Sequence, residues 1–235
     1  MTQPTKTVGV IGGLGPLATL DFFERVLRRT RTYKEEDHLR LIIDNNTKVP
    51  DRNAFGRGDG PSPAPALAAS ARGLETAGAE FIVMACNTAH AWEADIRAAI
   101  TVPFISMIDT TVAVVADLRP EAAGVLAVDA CLSANLYQTA LKAAGVKPLL
   151  LPSDSQKTFM ELIYRVKSGD TGETVRRAMA TLARRLEAQG AEVIIAGCTE
   201  IPLVLTGDDI EGELVSSTDA LVERTILLAG AELKG

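Results

Sequence analysis

The chain has 235 residues, of which 47% are hydrophobic and 23% charged. This composition is typical of a globular protein with a sizeable core and excludes disordered, collagen-like and coiled-coil chains. The net charge is −6, and the 24 Lys and Arg residues are spread along the chain, which argues against nucleic-acid binding. Three cysteines are too few for a disulfide framework, no secretory leader pattern precedes the first apolar run, and no apolar run approaches the roughly 18 residues that span a membrane. We therefore expect a reduced, cytoplasmic protein that binds neither nucleic acid nor membranes.

Short apolar runs alternate with longer amphipathic segments along the whole chain. The runs predicted as strands are Thr7–Ile11, Leu41–Ile43, Phe81–Met84, Phe104–Ile105, Gly124–Val128, Pro148–Leu151 and Val193–Ala196. Helical periodicity covers Pro65–Ala77, Ser133–Ala144 and Gly172–Gln189, and Gly145 and Gly190 are placed to end the last two helices. The Gly- and Pro-rich segment Gly56–Pro65 is predicted to be a loop that could serve as a lid. The pattern indicates the α/β class, with parallel sheets covered by helices on both faces.

An internal repeat divides the chain into two similar halves. Leu74–Thr88 aligns without a gap on Leu186–Glu200, with seven of fifteen positions identical, and Val8–Ile11 corresponds to Ala123–Leu126. We infer two similar α/β domains, one formed by residues 1–108 with 211–235 and the other by residues 109–210. If the two halves face each other, their binding edges would flank one shared cleft.

The repeat places Cys86 and Cys198 at matching positions, each just after a buried-type strand. Ligands of parallel sheets bind beyond the carboxyl ends of the strands, so both thiols are expected at binding edges. Each cysteine is followed by small polar residues and then by a segment that could begin a helix. The N–H groups of such a helix would lower the thiol pKa toward neutrality and would bind a substrate carboxylate.

Two opposed thiols suit one kind of chemistry better than the alternatives. A disulfide oxidoreductase would carry Cys-x-x-Cys, and a zinc site would need further ligands at metal spacing; neither pattern occurs. One thiolate that removes a proton and one thiol that delivers a proton from the opposite face would racemise a stereocentre. The loop around Gly13 lacks the spacing of a dinucleotide-binding motif, and we interpret it as a wall of the cleft that offers amides to a carboxylate.

The sequence resembles the cofactor-independent aspartate/glutamate racemase superfamily, and within it the aspartate racemase branch. The matching segments occur in the family's order along nearly the whole chain: Ile11–Thr19, Val49–Arg52, Cys86–His90, Ile163–Gly169 and Gly197–Pro202. The resemblance implies two pseudo-symmetric α/β domains, an active site in the cleft between them, and a homodimer. It also implies an amino acid or dicarboxylate substrate and no pyridoxal phosphate, metal or nucleotide.

Residue by residue, the resemblance assigns the acid/base roles to Cys86 and Cys198. Arg52 and Lys167 match positions that hold the substrate's carboxylates. Asn87, Thr88 and Thr199 would cradle the α-carboxylate and the ammonium group, with Gly13 in the cleft wall and Asn46 and Glu200 as supporting residues. Glutamate racemases usually carry His where this chain has Glu200, which favours the aspartate branch. His38 and His90 are interpreted as structural, although His90 is close enough to Cys86 in sequence to influence the titration of its thiol.

One segment departs from the family pattern and leaves the substrate open. Val128 and Cys131 stand where relatives usually have threonines, and loss of hydroxyls from a pocket wall changes which substrate group can be bound. Cys131 is interpreted as a small core residue. The alternatives are a maleate isomerase or a hydantoin racemase-like enzyme of the same superfamily, or a catalytically silent amino-acid-binding protein. Arylmalonate decarboxylases typically keep only one of the two cysteines, so the intact pair argues against them.

Overall fold

The protein is described from a computed structural model, which covers residues 5–234 and divides into two compact units. The first unit runs up to Met107 and resumes at Thr218, and the second comprises Ile108–Ser217. Each unit contains one four-stranded, fully parallel sheet flanked by helices, which confirms the predicted α/β class.

The strands and helices follow one another as the alternating sequence pattern predicts. The strands are β1 (Val8–Gly12), β2 (Leu41–Asn45), β3 (Phe81–Met84), β4 (Phe104–Ile105), β5 (Ala122–Leu126), β6 (Lys147–Leu150), β7 (Val193–Ala196) and β8 (Glu213–Ser216). The helices are α1 (Pro16–Arg29), α2 (Arg52–Gly56), α3 (Ala64–Thr76), α4 (Glu93–Ala98), α5 (Met107–Leu118), α6 (Asp129–Ser133), α7 (Leu136–Ala143), α8 (Ser153–Lys167), α9 (Glu173–Glu187) and α10 (Ser217–Leu228). Over the described residues, no helix combines the length and the apolar character needed to cross a membrane.

The two sheets have the same strand order. The first is β2-β1-β3-β4 and the second is β6-β5-β7-β8. The sequence repeat is therefore also a repeat of topology, in which β1 corresponds to β5 and β3 to β7. Because all the strands are parallel, their carboxyl ends lie at one edge of each sheet, and this is the edge at which such sheets bind ligands.

The side chains of the first sheet alternate between two apolar layers. Val8, Val10 and Val83 pack with side chains of α1 and α10, whereas Ile11 and Ile82 pack with side chains of α3 and α4. This alternation follows from the two-residue period of a β-strand. It explains why the strands read as continuous apolar runs, since both faces of the sheet are covered.

A glycine in one inner strand of each sheet, β1 or β5, lets a helix approach closely. A Cβ built on Gly9 would lie 3.2 Å from Cβ of Leu74 and 2.9 Å from Cβ of Ala79. A Cβ built on Gly124 would lie 2.8 Å from Cβ of Leu186. Leu74 and Leu186 occupy the first position of the sequence repeat, so the two halves share this packing contact as well as their topology.

The structure corrects the predicted elements at two places. The helix predicted over Ser133–Ala144 is wrong at its start: α6 and α7 are separate, because Asn135 between them has a left-handed backbone with φ of 53°. Asn is one of the few residues that adopts this conformation readily. The short strand β8 was not predicted, since its four residues begin with an exposed Glu213 and carry little apolar signal. The predicted Gly- and Pro-rich loop lies between α2 and α3, with Gly56 ending α2 and Ala64 beginning α3.

The close packing of Gly124 against Leu186 predicts the effect of a substitution on stability. Gly124→Ala should destabilise the protein by about 1–3 kcal/mol, because the new methyl group would overpack against the backbone-fixed Cβ of Leu186. The measurement is the free energy of unfolding from urea denaturation. Gly73→Ala is the matched control, since Gly73 is an exposed helical residue with no atom within 4 Å of its added Cβ. The control should be neutral or stabilising by up to about 1 kcal/mol, and equal destabilisation by both changes would contradict the packing argument.

Candidate active site

Cys86 lies two residues beyond the end of β3 and is buried. The N–H of the preceding Ala85 still donates to the carbonyl of Ile11 in β1, at 3.1 Å. The N–H of Cys86 then turns back to the carbonyl of Met84, at 2.9 Å. This tight turn ends the strand and places the thiol at the carboxyl edge of the first sheet.

The side chain of His90 contacts the same turn through the carbonyl of Cys86. Its Nδ1 lies 2.8 Å from the carbonyl oxygen of Cys86, and its Nε2 accepts a hydrogen bond from the N–H of Met107 at 2.9 Å. The imidazole is buried and lies against the ring of Phe104. The structural interpretation of His90 is therefore consistent with its contacts.

The structure brings three predicted site residues of the first unit together, namely Gly13, Asn46 and Arg52. The Arg52 guanidinium donates to the carbonyl of Leu14 at 2.7 Å and to that of Pro50 at 3.1 Å. Gly13 has φ of +81°, and a Cβ there would lie within 2.7 Å of the backbone of Asn46, so only glycine fits. The Gly13 N–H donates to Oγ1 of Thr19 at 2.9 Å and is thus already bonded within the protein.

Helix α2, which begins with Arg52, contacts the 3₁₀ turn that follows Cys86. Asp51 caps this helix by accepting the N–H of Ala54 at 2.6 Å. The ring of Phe55 meets that of Trp92 edge to face at 5.4 Å, and Trp92 ends the 3₁₀ turn that follows Cys86. This contact links the helix that carries the candidate carboxylate-binding guanidinium to the segment that carries the thiol.

In the second unit, Cys198, Glu200 and Lys167 form a short polar chain. The Cys198 thiol donates to Oε2 of Glu200 at 2.9 Å. Glu200 is only 5% exposed, and its Oε1 lies 4.0 Å from Nζ of Lys167 at the end of α8. Thr199 donates a longer hydrogen bond of 3.3 Å to the same carboxylate. Over the described part of the chain, no group of three or more His, Cys, Asp or Glu side chains could hold a metal ion.

The structure reverses the expected titration of Cys198. Burial raises the pKa of this thiol well above its ordinary value, the negative charge of Glu200 raises it further, and Lys167 lowers it by a smaller amount. The expectation that a helix N-terminus lowers this pKa is wrong for Cys198. Desolvation disfavours the thiolate, and a carboxylate in contact with sulfur acts in the same direction.

The segment after Cys198 is also shorter than a dipole argument requires, whereas the turn after Cys86 is followed directly by α4. Thr88–Trp92 and Ile201–Leu203 are 3₁₀ turns of five and three residues. Asn87 and Glu200 occupy the cap positions of these turns. Few aligned peptide units give a small dipole, so neighbouring side chains dominate the local electrostatics of Cys198.

The buried phenol of Tyr137 packs against Gly197, the residue before Cys198. Tyr137 hydrogen-bonds with Thr111 and Ser217, and its burial raises the pKa of its hydroxyl. Ser217 in turn donates to the carbonyl of Ala196, the last residue of β7, at 2.8 Å. Sequence reasoning did not single out this network, whose members are far apart along the chain.

The two residues that depart from the family pattern pack in the core of the second unit. Val128 is 3% exposed and Cys131 is fully buried, and the N–H of Cys131 donates to the carbonyl of Val128 at 2.9 Å. This agrees with the interpretation of Cys131 as a core residue. An effect of these two residues on substrate choice would act through the packing of the segment that joins β5 to α6.

Comparisons with known proteins identify the family of this chain. The family model described as Asp/Glu/Hydantoin racemase matches residues 11–225. The chain is 24% identical over 225 residues to the broad specificity amino-acid racemase RacX of Bacillus subtilis, covering 93% of this chain and 96% of that protein.

Solved structures share the fold. The aspartate racemase of Picrophilus torridus is 29% identical and superposes with a TM-score of 0.88, over 97% of this chain and 96% of that one. The glutamate racemase of Campylobacter jejuni is 22% identical, with a TM-score of 0.62 over 97% and 88% of the two chains. At that identity the second likeness concerns the fold alone.

The contacts among Cys198, Glu200 and Lys167 predict that two substitutions change the pKa of the Cys198 thiol in opposite directions. Glu200→Gln should lower the pKa of the Cys198 thiol, because it removes the negative charge that opposes thiolate formation, whereas Lys167→Met should raise this pKa. The measurement is the pH dependence of Cys198 alkylation by iodoacetamide, followed by peptide mass spectrometry. The profile should move to lower pH in the first variant and to higher pH in the second. Cys86, in the other unit, is the internal control, and a parallel shift of its profile would contradict the local origin of the effect.

Proposed function

The chain belongs to the Asp/Glu/hydantoin racemase family, and we propose that it is a cofactor-independent amino-acid racemase that uses Cys86 and Cys198 as its acid/base pair. The observation that carries this proposal is the equivalent placement of the two thiols. Each lies two residues beyond the corresponding strand, β3 or β7, of sheets with the same order. A repeat that preserves only packing would not need to keep a thiol at both carboxyl edges.

The proposed reaction is a two-base exchange at Cα. The thiolate of one cysteine takes the Cα proton and becomes a thiol, and the electron pair remains on the substrate as a carbanion delocalised into its carboxylate. The thiol of the other cysteine then gives its proton to the opposite face and becomes a thiolate. One proton is removed and one is added, so the product is the mirror-image amino acid and the protonation states of the two thiols are exchanged.

The carbanion is the difficult species, because a Cα–H beside an ionised carboxylate is a very weak acid. Preorganised donors aimed at the carboxylate stabilise the charge that develops in the transition state. We assign this role to Asn87, Thr88 and Thr199 beside the two thiols. Arg52 and Lys167 would bind the substrate's carboxylates, one through a planar fork of donors and the other as a point charge.

Glu200 would serve as the proton store of Cys198. Before Cys198 can act as a base its proton must leave, and Oε2 of Glu200, 2.9 Å from sulfur, is in position to accept it. In the opposite direction Cys198 is already a thiol, since burial and Glu200 raise its pKa. The same carboxylate thus favours the acid form and offers a route to the base form.

We further propose an acidic amino acid of the aspartate type as the substrate. The support is the pair of cations, Arg52 and Lys167, that could bind two carboxylates, together with the 29% identity to an aspartate racemase over 97% of this chain. RacX has broad specificity by name, so the panel used in the test includes neutral and basic amino acids. The proposal also includes a homodimer and no pyridoxal phosphate, nucleotide or metal, as the family resemblance implies.

The activity is tested by proton NMR in D₂O with protein freed of metal and pyridoxal phosphate. We expect the Cα–H signal of L- and of D-aspartate to disappear while the other enantiomer accumulates, because the incoming proton comes from solvent-exchanged thiol. The panel adds glutamate, neutral and basic amino acids, and a 5-substituted hydantoin. Turnover of the hydantoin alone would redirect the assignment within the family. Absence of exchange across the panel, with folded protein and reduced thiols, would overturn the racemase proposal.

The two-thiol mechanism makes a separate prediction for single substitutions. Cys86→Ser and Cys198→Ser should each lower racemisation by about 10²–10⁴-fold, the usual contribution of a positioned acid or base. Each variant should still exchange the Cα proton of one enantiomer without inverting it, and the two variants should retain opposite enantiomers. Exchange is measured in D₂O by NMR and inversion by chiral chromatography.

Cys131→Ala is the matched control for the thiol substitutions, because Cys131 is a buried core residue. It should keep the racemisation rate. Retention of full activity by either serine variant would contradict the mechanism. A wild-type protein that binds an amino acid without turnover, and serine variants that bind it equally well, would instead identify a silent binding protein.

A further inference from the structure

The backbone of Cys86 is bound on both of its polar groups. Its N–H donates to the carbonyl of Met84 at 2.9 Å, and its carbonyl oxygen lies 2.8 Å from Nδ1 of His90. Because both backbone groups are bonded, the peptide planes on either side of the thiol have little freedom to rotate. The remaining freedom of this residue is rotation about its side-chain bond.

The contacts of His90 specify a single form of its ring. The N–H of Met107 can only donate, so Nε2 must carry a lone pair and no proton. The proton of the neutral imidazole is then on Nδ1, where it donates to the carbonyl of Cys86. Each ring nitrogen has one partner of the correct polarity, and the ring is only 4% exposed.

We propose that His90 is a positioning residue for Cys86: its neutral Nδ1–H form donates to the Cys86 carbonyl and so holds the thiol-bearing turn in place. The inference rests on the proposed function, because it concerns a residue that acts through the proposed acid/base thiol. The N–H of Met107, the first residue of α5, selects this tautomer by donating to Nε2. The Nδ1–H bond ties Thr88–Trp92, the 3₁₀ turn that contains His90, back to the strand end that precedes it.

His90 acts through the backbone and does not exchange protons with substrate. Its Nδ1 proton is directed at a carbonyl and its Nε2 lone pair at an amide, so neither nitrogen is available to the thiol. This distinguishes it from Glu200, whose carboxylate touches the sulfur of Cys198. A misplacement of about 1 Å in a reacting group can cost on the order of a hundredfold in rate, which is the effect that the hydrogen bond to the Cys86 carbonyl prevents.

The test uses two variants, each of which can keep one of the two hydrogen bonds of the His90 ring. In His90→Asn, the short amide can take the place of Nδ1 and donate to the carbonyl of Cys86. In His90→Gln, the longer amide can take the place of Nε2 and accept from Met107, while the bond to Cys86 is lost. His38→Asn is the matched control, because His38 precedes β2 and so lies toward the amino edge of the same sheet.

The first readout is the rate at which iodoacetamide alkylates each cysteine, which requires no substrate. We expect His90→Gln to change the rate at Cys86 by about tenfold or more, while His90→Asn stays within about threefold of wild type, following the loss or retention of the positioning bond. Cys198, in the other unit, should be unchanged in both variants. A parallel change at both cysteines would indicate a general loss of structure, and an unchanged Cys86 in folded His90→Gln would overturn the proposal.

The second readout is turnover of aspartate. His90→Gln should lower kcat by about 10- to 100-fold with a smaller change in KM, because the geometry of proton transfer is affected while Arg52 and Lys167 remain to bind the substrate's carboxylates. His38→Asn should keep both constants. Equal kcat losses in the Asn and Gln variants would contradict a role for the bond to Cys86. If the wild-type protein exchanges no amino acid, the racemase proposal fails while the alkylation result still decides the positioning role.

A measurement on the wild-type protein covers the case in which neither variant folds. Long-range ¹H–¹⁵N NMR distinguishes a protonated from an unprotonated ring nitrogen in histidine. We expect His90 to show a protonated Nδ1 and an unprotonated Nε2 around neutral pH. The reverse tautomer, or a doubly protonated ring, would overturn the proposal.

Discussion

In each unit, a leucine of a helix packs directly on a glycine of an inner strand, so that an added Cβ would lie within 3.2 Å of the leucine Cβ. The helix that carries this leucine leads through a short connection into the strand that precedes a cysteine, α3 into β3 and α9 into β7. The depth of the helix on the sheet therefore sets where the next strand begins. Since both strands are only four residues long, the same contact sets where each thiol emerges at the carboxyl edge.

This shared framework surrounds the two thiols with different chemistry. The Cys198 thiol donates a hydrogen bond to the buried carboxylate of Glu200, and burial together with that carboxylate raises the pKa of the thiol. Around Cys86 the polar contacts are to the backbone, through the carbonyl of Met84 and the imidazole of His90. In the proposed two-thiol mechanism, one cysteine must be a thiol and the other a thiolate at the start of each turnover. Unequal surroundings in an otherwise symmetrical framework are a physical means of favouring one arrangement over the other.

Local sequence patterns predicted those features that depend on near neighbours. Apolar runs located seven of the eight strands, because a strand covered on both faces must be apolar along its length. The eighth, β8, is short and begins with an exposed glutamate, so its pairing with β7 decides its structure. The helix expected over Ser133–Ala144 is interrupted at Asn135, which has a left-handed backbone. Hydrophobic periodicity does not predict the backbone conformation of a single polar residue.

By itself, the sequence determined the α/β class, the repeat, the two cysteines and the resemblance to the racemases, since each of these follows from residue order and spacing. Tertiary structure decided the titration of Cys198, because burial and a contact with Glu200 outweigh the dipole of a three-residue turn. It also decided the form of His90, which depends on Met107, a residue seventeen positions away. Desolvation and hydrogen-bond polarity are set by atoms brought together in space, and no spacing rule along the chain specifies which atoms those are.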